Sequence, residues 1–248
     1  MDQSTTIIAL VTATFFVAGI VKGVTGMGLP TVAMGVLGAF MSPLSAASLL
    51  LMPSFVTNIW QLVTGPNFAA LMVRLWPMMS GIVVGTVAGA GLLTSVNTAW
   101  TTAALGAALA AYALLALLAP PFSVPARIER WASPLVGLVT GLVTGGTGVF
   151  VIPAVPYLQS LGLGRDDLIQ ALGLSFTIST IALGLGLSGS GAFHATSILS
   201  SMLAIVPALA GMWFGTAIRG RISPPAFRRW FLICLVLLGL DLLLRPLL

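Results

Sequence analysis

Charge is what this chain has least of. Of 248 residues, 10 are Lys or Arg and 5 are Asp or Glu, 6% in all, where a soluble domain carries about 25%. So few charges cannot clothe a water-facing surface. With 58% hydrophobic residues, the chain's solvent is lipid. The formal charge of +5 rests on residues too few and scattered for a phosphate-tracking groove, so nucleic acid is excluded as a partner, and the membrane accounts for them. The single Cys234 excludes an intramolecular disulfide and, within an apolar run, is expected to be a buried, inert thiol. One His and an isolated membrane Asp leave no nucleophile–base pair and no ligand cluster. Neither an enzyme nor a metal or cofactor is expected. Residues 1–4 hold Asp2 and no Lys or Arg, and no cleavage site follows, so the first apolar segment is expected to stay.

What is present is apolar sequence in two sets of five segments. The first set runs Thr5 to Val21, Leu29 to Met41, Leu44 to Val63, Val73 to Leu93 and Thr98 to Ala119. The second runs Trp131 to Thr144, Val149 to Leu161, Leu168 to Leu187, Thr196 to Ile218 and Phe227 to Leu244. Residues 1–119 therefore form one membrane repeat, 120–130 a polar hinge and 131–248 a second repeat. A full span needs about 20 apolar residues. The last three segments of each set qualify, and the two before them are expected to be partial helices in a glycine-broken hairpin. The fold class is all-α and polytopic.

Charge placement orients the chain. If each hairpin returns to the side it entered, Arg74, Arg127, Arg130, Arg165, Arg219, Arg221, Arg228 and Arg229 share one side and Arg245 lies opposite. The positive-inside rule makes the shared side cytoplasmic, with both termini outside. The halves then start on opposite sides and are inverted repeats. Trp60, Trp76, Trp131 and Trp230 fall near the inner boundary and Trp100 near the outer one.

Two motifs recur. Pro77-x3-Gly81-x3-Gly85-Thr86 is respelled as Pro207-x3-Gly211-x3-Gly215-Thr216. Upstream of each lies a glycine-rich stretch, Gly19-x3-Gly23-x2-Gly26-Met27-Gly28 in one half and Gly137-x3-Gly141-x3-Gly145-Gly146-Thr147-Gly148 in the other. Paired interrupted helices in two halves of a membrane protein mark a transporter's binding site, placed near the bilayer midplane between the repeats. The glycine motifs and the arginine-bearing hinge resemble the TauE/SafE family of sulfite exporter-like membrane transporters over nearly the whole chain. The resemblance implies an inner-membrane transporter of small, often sulfur-containing anions such as sulfite, sulfonates and sulfoacetate. Met27 and Thr147 stand where consecutive glycines are usual in that family, and no family contact maps onto Lys22.

Unwound backbone at membrane depth must be buried or line a cavity, and its free N–H groups suit an anion. The candidate substrate-binding residues are accordingly Thr25, Gly26, Met27 and Gly28 in the first loop, and Thr144, Gly145, Gly146, Thr147 and Gly148 in the second. Close helix packing is the competing use of such glycines, and the preferred one for Gly81, Gly85, Gly89, Gly211 and Gly215. Lys22, an ionisable group beside the first break, can neutralise an anion or snorkel to headgroups. Asn58 and Ser175, on the helices after the hairpins, are candidates to line the cavity beside Ser54, Thr57, Thr177, Ser179 and Thr180. Asp241 is expected to pair with Arg245, His194 to sit in a solvated loop, and Asp166 and Asp167 to cap a helix. The leading function is a small-anion transporter of the bacterial inner membrane. An anion channel of the same fold and a carboxylate transporter are the alternatives, with a homodimer and a coupled proton or sodium left open.

Overall fold

A computed structural model of the chain describes residues 3–95, 97–120, 122–189 and 195–245. Among them every regular element is helical: α1 (Gln3–Thr25), α2 (Leu29–Phe40), α3 (Pro43–Val63), α4 (Phe68–Ser95), α5 (Thr98–Leu118), α6 (Ala126–Thr147), α7 (Ala154–Ser160), α8 (Arg165–Gly189), α9 (Ala195–Leu203), α10 (Ile205–Ile218) and α11 (Pro224–Leu244). Among the described residues, six stretches are long and apolar enough to cross a membrane, namely those in α1, α3, α4, α5, α8 and the α9–α10 run Ile198–Ile218. The chain is a multi-pass membrane protein. His194 lies outside the described residues.

Helix starts follow from local chemistry. Ser42, Asn97 and Ser223 accept hydrogen bonds from the N–H groups of Ser45, Ala99 and Ala226, and Pro30, Pro43 and Pro224 sit in first turns, where a missing N–H costs little. Pro53 is different. Inside α3 it leaves the Leu49 carbonyl without its helical donor, and Ser201 of α9 supplies one (2.8 Å) while accepting from Met52 N–H (3.0 Å).

Three expectations change. α1 and α6 are not partial helices: at 23 and 22 residues they run about 34 Å and 33 Å, longer than the hydrocarbon core of about 30 Å. The short arms are the returning ones, α2 with 12 residues and α7 with 7. Residues 126–130 of the hinge already belong to α6. Cys234 is exposed on its apolar helix rather than buried.

Glycine explains why α1 and α6 stay helical. α1 packs on α10 and α6 on α4, so each hairpin leans on the other half. A Cβ at Gly19 or Gly23 would strike the backbone of Ala208, Met212 or Thr216, and one at Gly141 or Gly145 that of Ile82, Thr86 or Ala90. Backbones meet only where side chains vanish. The two seams also share a register, with Gly19 and Gly23 corresponding to Gly141 and Gly145, and Ala208, Met212 and Thr216 to Ile82, Thr86 and Ala90. The respelled Pro-x3-Gly-x3-Gly-Thr motif is therefore one helical turn out of step with the packing, since Gly211 sits where Gly85 sits.

Positive residues gather at one end of the bundle. Arg74 grips Glu129 with two bonds, Nε–Oε1 at 2.6 Å and Nη2–Oε2 at 2.8 Å, and also donates to Leu161 O, tying the starts of α4 and α6 to the end of α7. Asn67 donates to Asp167 in the first turn of α8 (2.7 Å), so that carboxylate serves a neighbouring loop. Partial burial and nearby Arg165 hold Arg219, just past α10, below the usual guanidinium range. At the opposite end Asp241 pairs with Arg245 as expected (2.7 Å).

Candidate functional site

Each glycine break is built on a threonine followed directly by a left-handed glycine. Thr25 Oγ1 donates to Val21 O (2.8 Å) and to Met27 O (2.7 Å), and accepts from Met27 N–H. Gly26, with φ 79°, donates its N–H to Lys22 O. In the second half Thr147 Oγ1 donates to Val143 O (2.6 Å) and accepts from Val149 N–H, and Gly148, with φ 72°, donates to Thr144 O. Thr25 and Gly26 thus correspond to Thr147 and Gly148. The hydroxyls of Thr25, Thr147 and Thr144, the last bonded to Thr140 O and Val149 O, are all engaged with the chain's own backbone.

The candidate glycines divide. Gly145 belongs to the α4–α6 seam, its added Cβ falling 2.6 Å from Ala90 N. Gly146 faces only Leu92, at 3.7 Å. Gly26, Gly28 (φ 100°) and Gly148 are the residues whose backbone needs glycine.

The two breaks do not meet. The first lies beside Gln61 and Ile169, at the end of α3 and the start of α8. The second abuts Met34 and Ala47, near the start of α3. Fourteen residues of α3 separate Ala47 from Gln61, about 21 Å along the helix. They flank opposite ends of α3 instead of converging.

What does come together is a polar strip around Lys22, the only lysine in the chain. It is 3% exposed. Its Nζ donates to Thr57 Oγ1 (3.2 Å) and to Asn58 Oδ1, both buried on α3. Asn58 Nδ2 donates to Ser54 Oγ (3.0 Å), and Ser54 bonds Thr180 of α8 (3.3 Å). Lys22 therefore does not snorkel to headgroups. Among the described residues no carboxylate pairs with it: Glu129 and Asp241 are held by arginines, Asp167 by Asn67, and Asp166 is exposed at the start of α8. A buried ammonium facing only neutral oxygens has an unmet demand for negative charge.

Gln61, one turn beyond Asn58, joins this strip. Its Nε2 donates to Gly26 O (3.0 Å) and Ile169 O (2.8 Å), which fixes its amide and leaves a buried Oε1 without a partner. Its only sequence signal is an amide in an apolar run. Ser175 is buried on α8 with its hydroxyl unpartnered, and is not joined to Lys22. Three or more metal-ligating side chains do not cluster anywhere among the described residues.

A multi-pass bundle with glycine-seamed hairpins and one buried lysine beside no described carboxylate fits a membrane transporter. The family model for the sulfite exporter TauE/SafE matches residues 11–242, and the chain belongs to that family. No curated protein and no solved structure matches it.

Proposed function

We propose that this protein moves a small sulfur-containing anion, of the sulfite, sulfonate or sulfoacetate kind, across the bacterial inner membrane, binding it at Lys22. The observation that carries this reading is the Lys22 ammonium, buried against Thr57 and Asn58 with no carboxylate beside it. A bound anion supplies the missing charge, and the spare N–H of the ammonium is free to meet it. Membership of the sulfite exporter family supports sulfur oxyanions as the substrate class.

The crosswise seams, α1 on α10 and α6 on α4, support reading the halves as inverted repeats. The gathering of arginines at one end supports a cytoplasmic assignment for that end and both termini outside. With the inside negative, efflux of an anion gains about 2.3 kcal/mol per charge per 100 mV, which favours export. The breaks lie at opposite ends of α3, which supports a site at Lys22 rather than one spanning both loops.

Flux of sulfite and sulfoacetate in proteoliposomes tests the proposal. Saturable flux that is lost in Lys22→Gln, with the variant still folded and inserted, is expected. Unimpaired flux in that variant, or no flux of any sulfur anion in the native protein, would overturn it.

A further inference from the structure

A second polar feature lies between the first glycine break and the arginine-rich end. α5, the hinge, α7 and the start of α11 line a half-open cleft of about 200 Å³ that includes Tyr112, Ala116, Gln159, Ser160 and Arg228. The hinge closes one wall, Val124 N–H donating to Ser160 O (3.0 Å). Arg228 is half-buried there and takes part in no ion pair among the described residues.

The inner end of the cleft abuts the break. Tyr112 lies seven residues before Ala119, about 10 Å up α5. Its hydroxyl donates to Met27 Sδ (3.6 Å). One turn beyond Arg228, Phe231 lies against Gly28, where an added Cβ would be 3.5 Å from its ring. Two aromatic side chains thus separate the free guanidinium of Arg228 from the loop that follows Lys22. A guanidinium lining a half-open, partly polar cleft recognises small oxyanions by charge-assisted hydrogen bonds.

Resting on the transport reading above, we propose that this cleft is a second anion site, in which Arg228 binds a small oxyanion and feeds it toward Lys22. A phosphate headgroup offers the same chemistry. The wall supplied by the hinge and the approach to the break favour the free ion.

The test uses the full chain in phosphatidylcholine vesicles, with Cys234→Ser and Ala116→Cys, and sulfoacetate as probe. Labelling of the new thiol by a negatively charged maleimide is compared with labelling by a neutral one. Sulfoacetate is expected to protect. Arg228→Gln is expected to slow the charged reagent about threefold or more, to remove protection and to leave the neutral rate unchanged. The same substitution should raise the half-saturating sulfoacetate concentration several-fold at low salt, a difference that shrinks as salt rises. Absent protection, or equal effects of Arg228→Gln on both reagents, would overturn the proposal. So would protection by added phosphatidylglycerol and not by sulfoacetate, which assigns the cleft to lipid. Lys22→Gln separates the two sites, since lost flux with protection retained is expected. Protection without flux in the native protein would sink the substrate assignment and spare the cleft.

Discussion

Lys22 and Thr144 hold equivalent places, each four residues before a left-handed glycine whose N–H its carbonyl accepts. Only one of the two is charged. The halves share this break geometry and differ in the side chain at this position.

That difference predicts an asymmetric response. Lys22→Met should cut transport at least about tenfold, or 1.4 kcal/mol, while leaving thermal stability equal or higher, because an apolar replacement removes an uncompensated buried charge. Thr144→Val should keep transport and lose about 1 kcal/mol of stability from its hydroxyl's backbone bonds. Flux and melting curves on the two proteins check the contrast, and equal loss of flux in both would refute it.

Asn58→Asp adds a carboxylate against the ammonium. The new pair should compete with any anion, lowering flux and raising the half-saturating concentration while the protein stays folded. Improved flux in this variant would argue that the cation meets its substrate elsewhere.

Glycine substitutions should sort by seam. Gly145→Ala forces a Cβ into the backbone of Thr86 and Ala90 and should cost about 1–3 kcal/mol. Gly146→Ala meets nothing closer than Leu92 at 3.7 Å and should be neutral. Expression level and melting temperature decide, and the reverse order would contradict the packing described.

Most helix ends were legible from apolar runs. Leu29 to Met41 and Leu44 to Val63 fall within a residue of α2 and α3. The lengths of α1 and α6 were not, because a glycine that seats a neighbouring helix is spelled like one that unwinds its own. Gly23 and Gly26 stand three residues apart, and only the second has a positive φ. Lys22 and Asn58 were legible as polar residues in apolar surroundings, but their contact joins residues 36 apart in the chain, which periodicity cannot reach. Thr25 and Thr147 were legible as break residues, not as hydroxyls already satisfied by backbone.

Gln170 tests the structural side of the same polar inventory. Its side chain donates to Leu62 O and Gly65 O and accepts from Asn67 N–H. Gln170→Met strands all three groups and should lower stability by at least about 3 kcal/mol, at about 1–3 kcal/mol per lost partner, with the half-saturating concentration of the surviving protein unchanged. A changed half-saturating concentration would place this residue in the transport path.

The seams bear on how the polypeptide can be divided. Because α1 rests on α10 and α6 on α4, a chain severed between residues 119 and 126 yields two fragments, each holding a glycine-faced helix whose complement is in the other. Neither fragment is a smaller version of the whole. Made alone, each would expose a bare backbone groove to lipid and to quality control. Made together, they would find one another, since each carries a surface shaped to receive its counterpart's first helix.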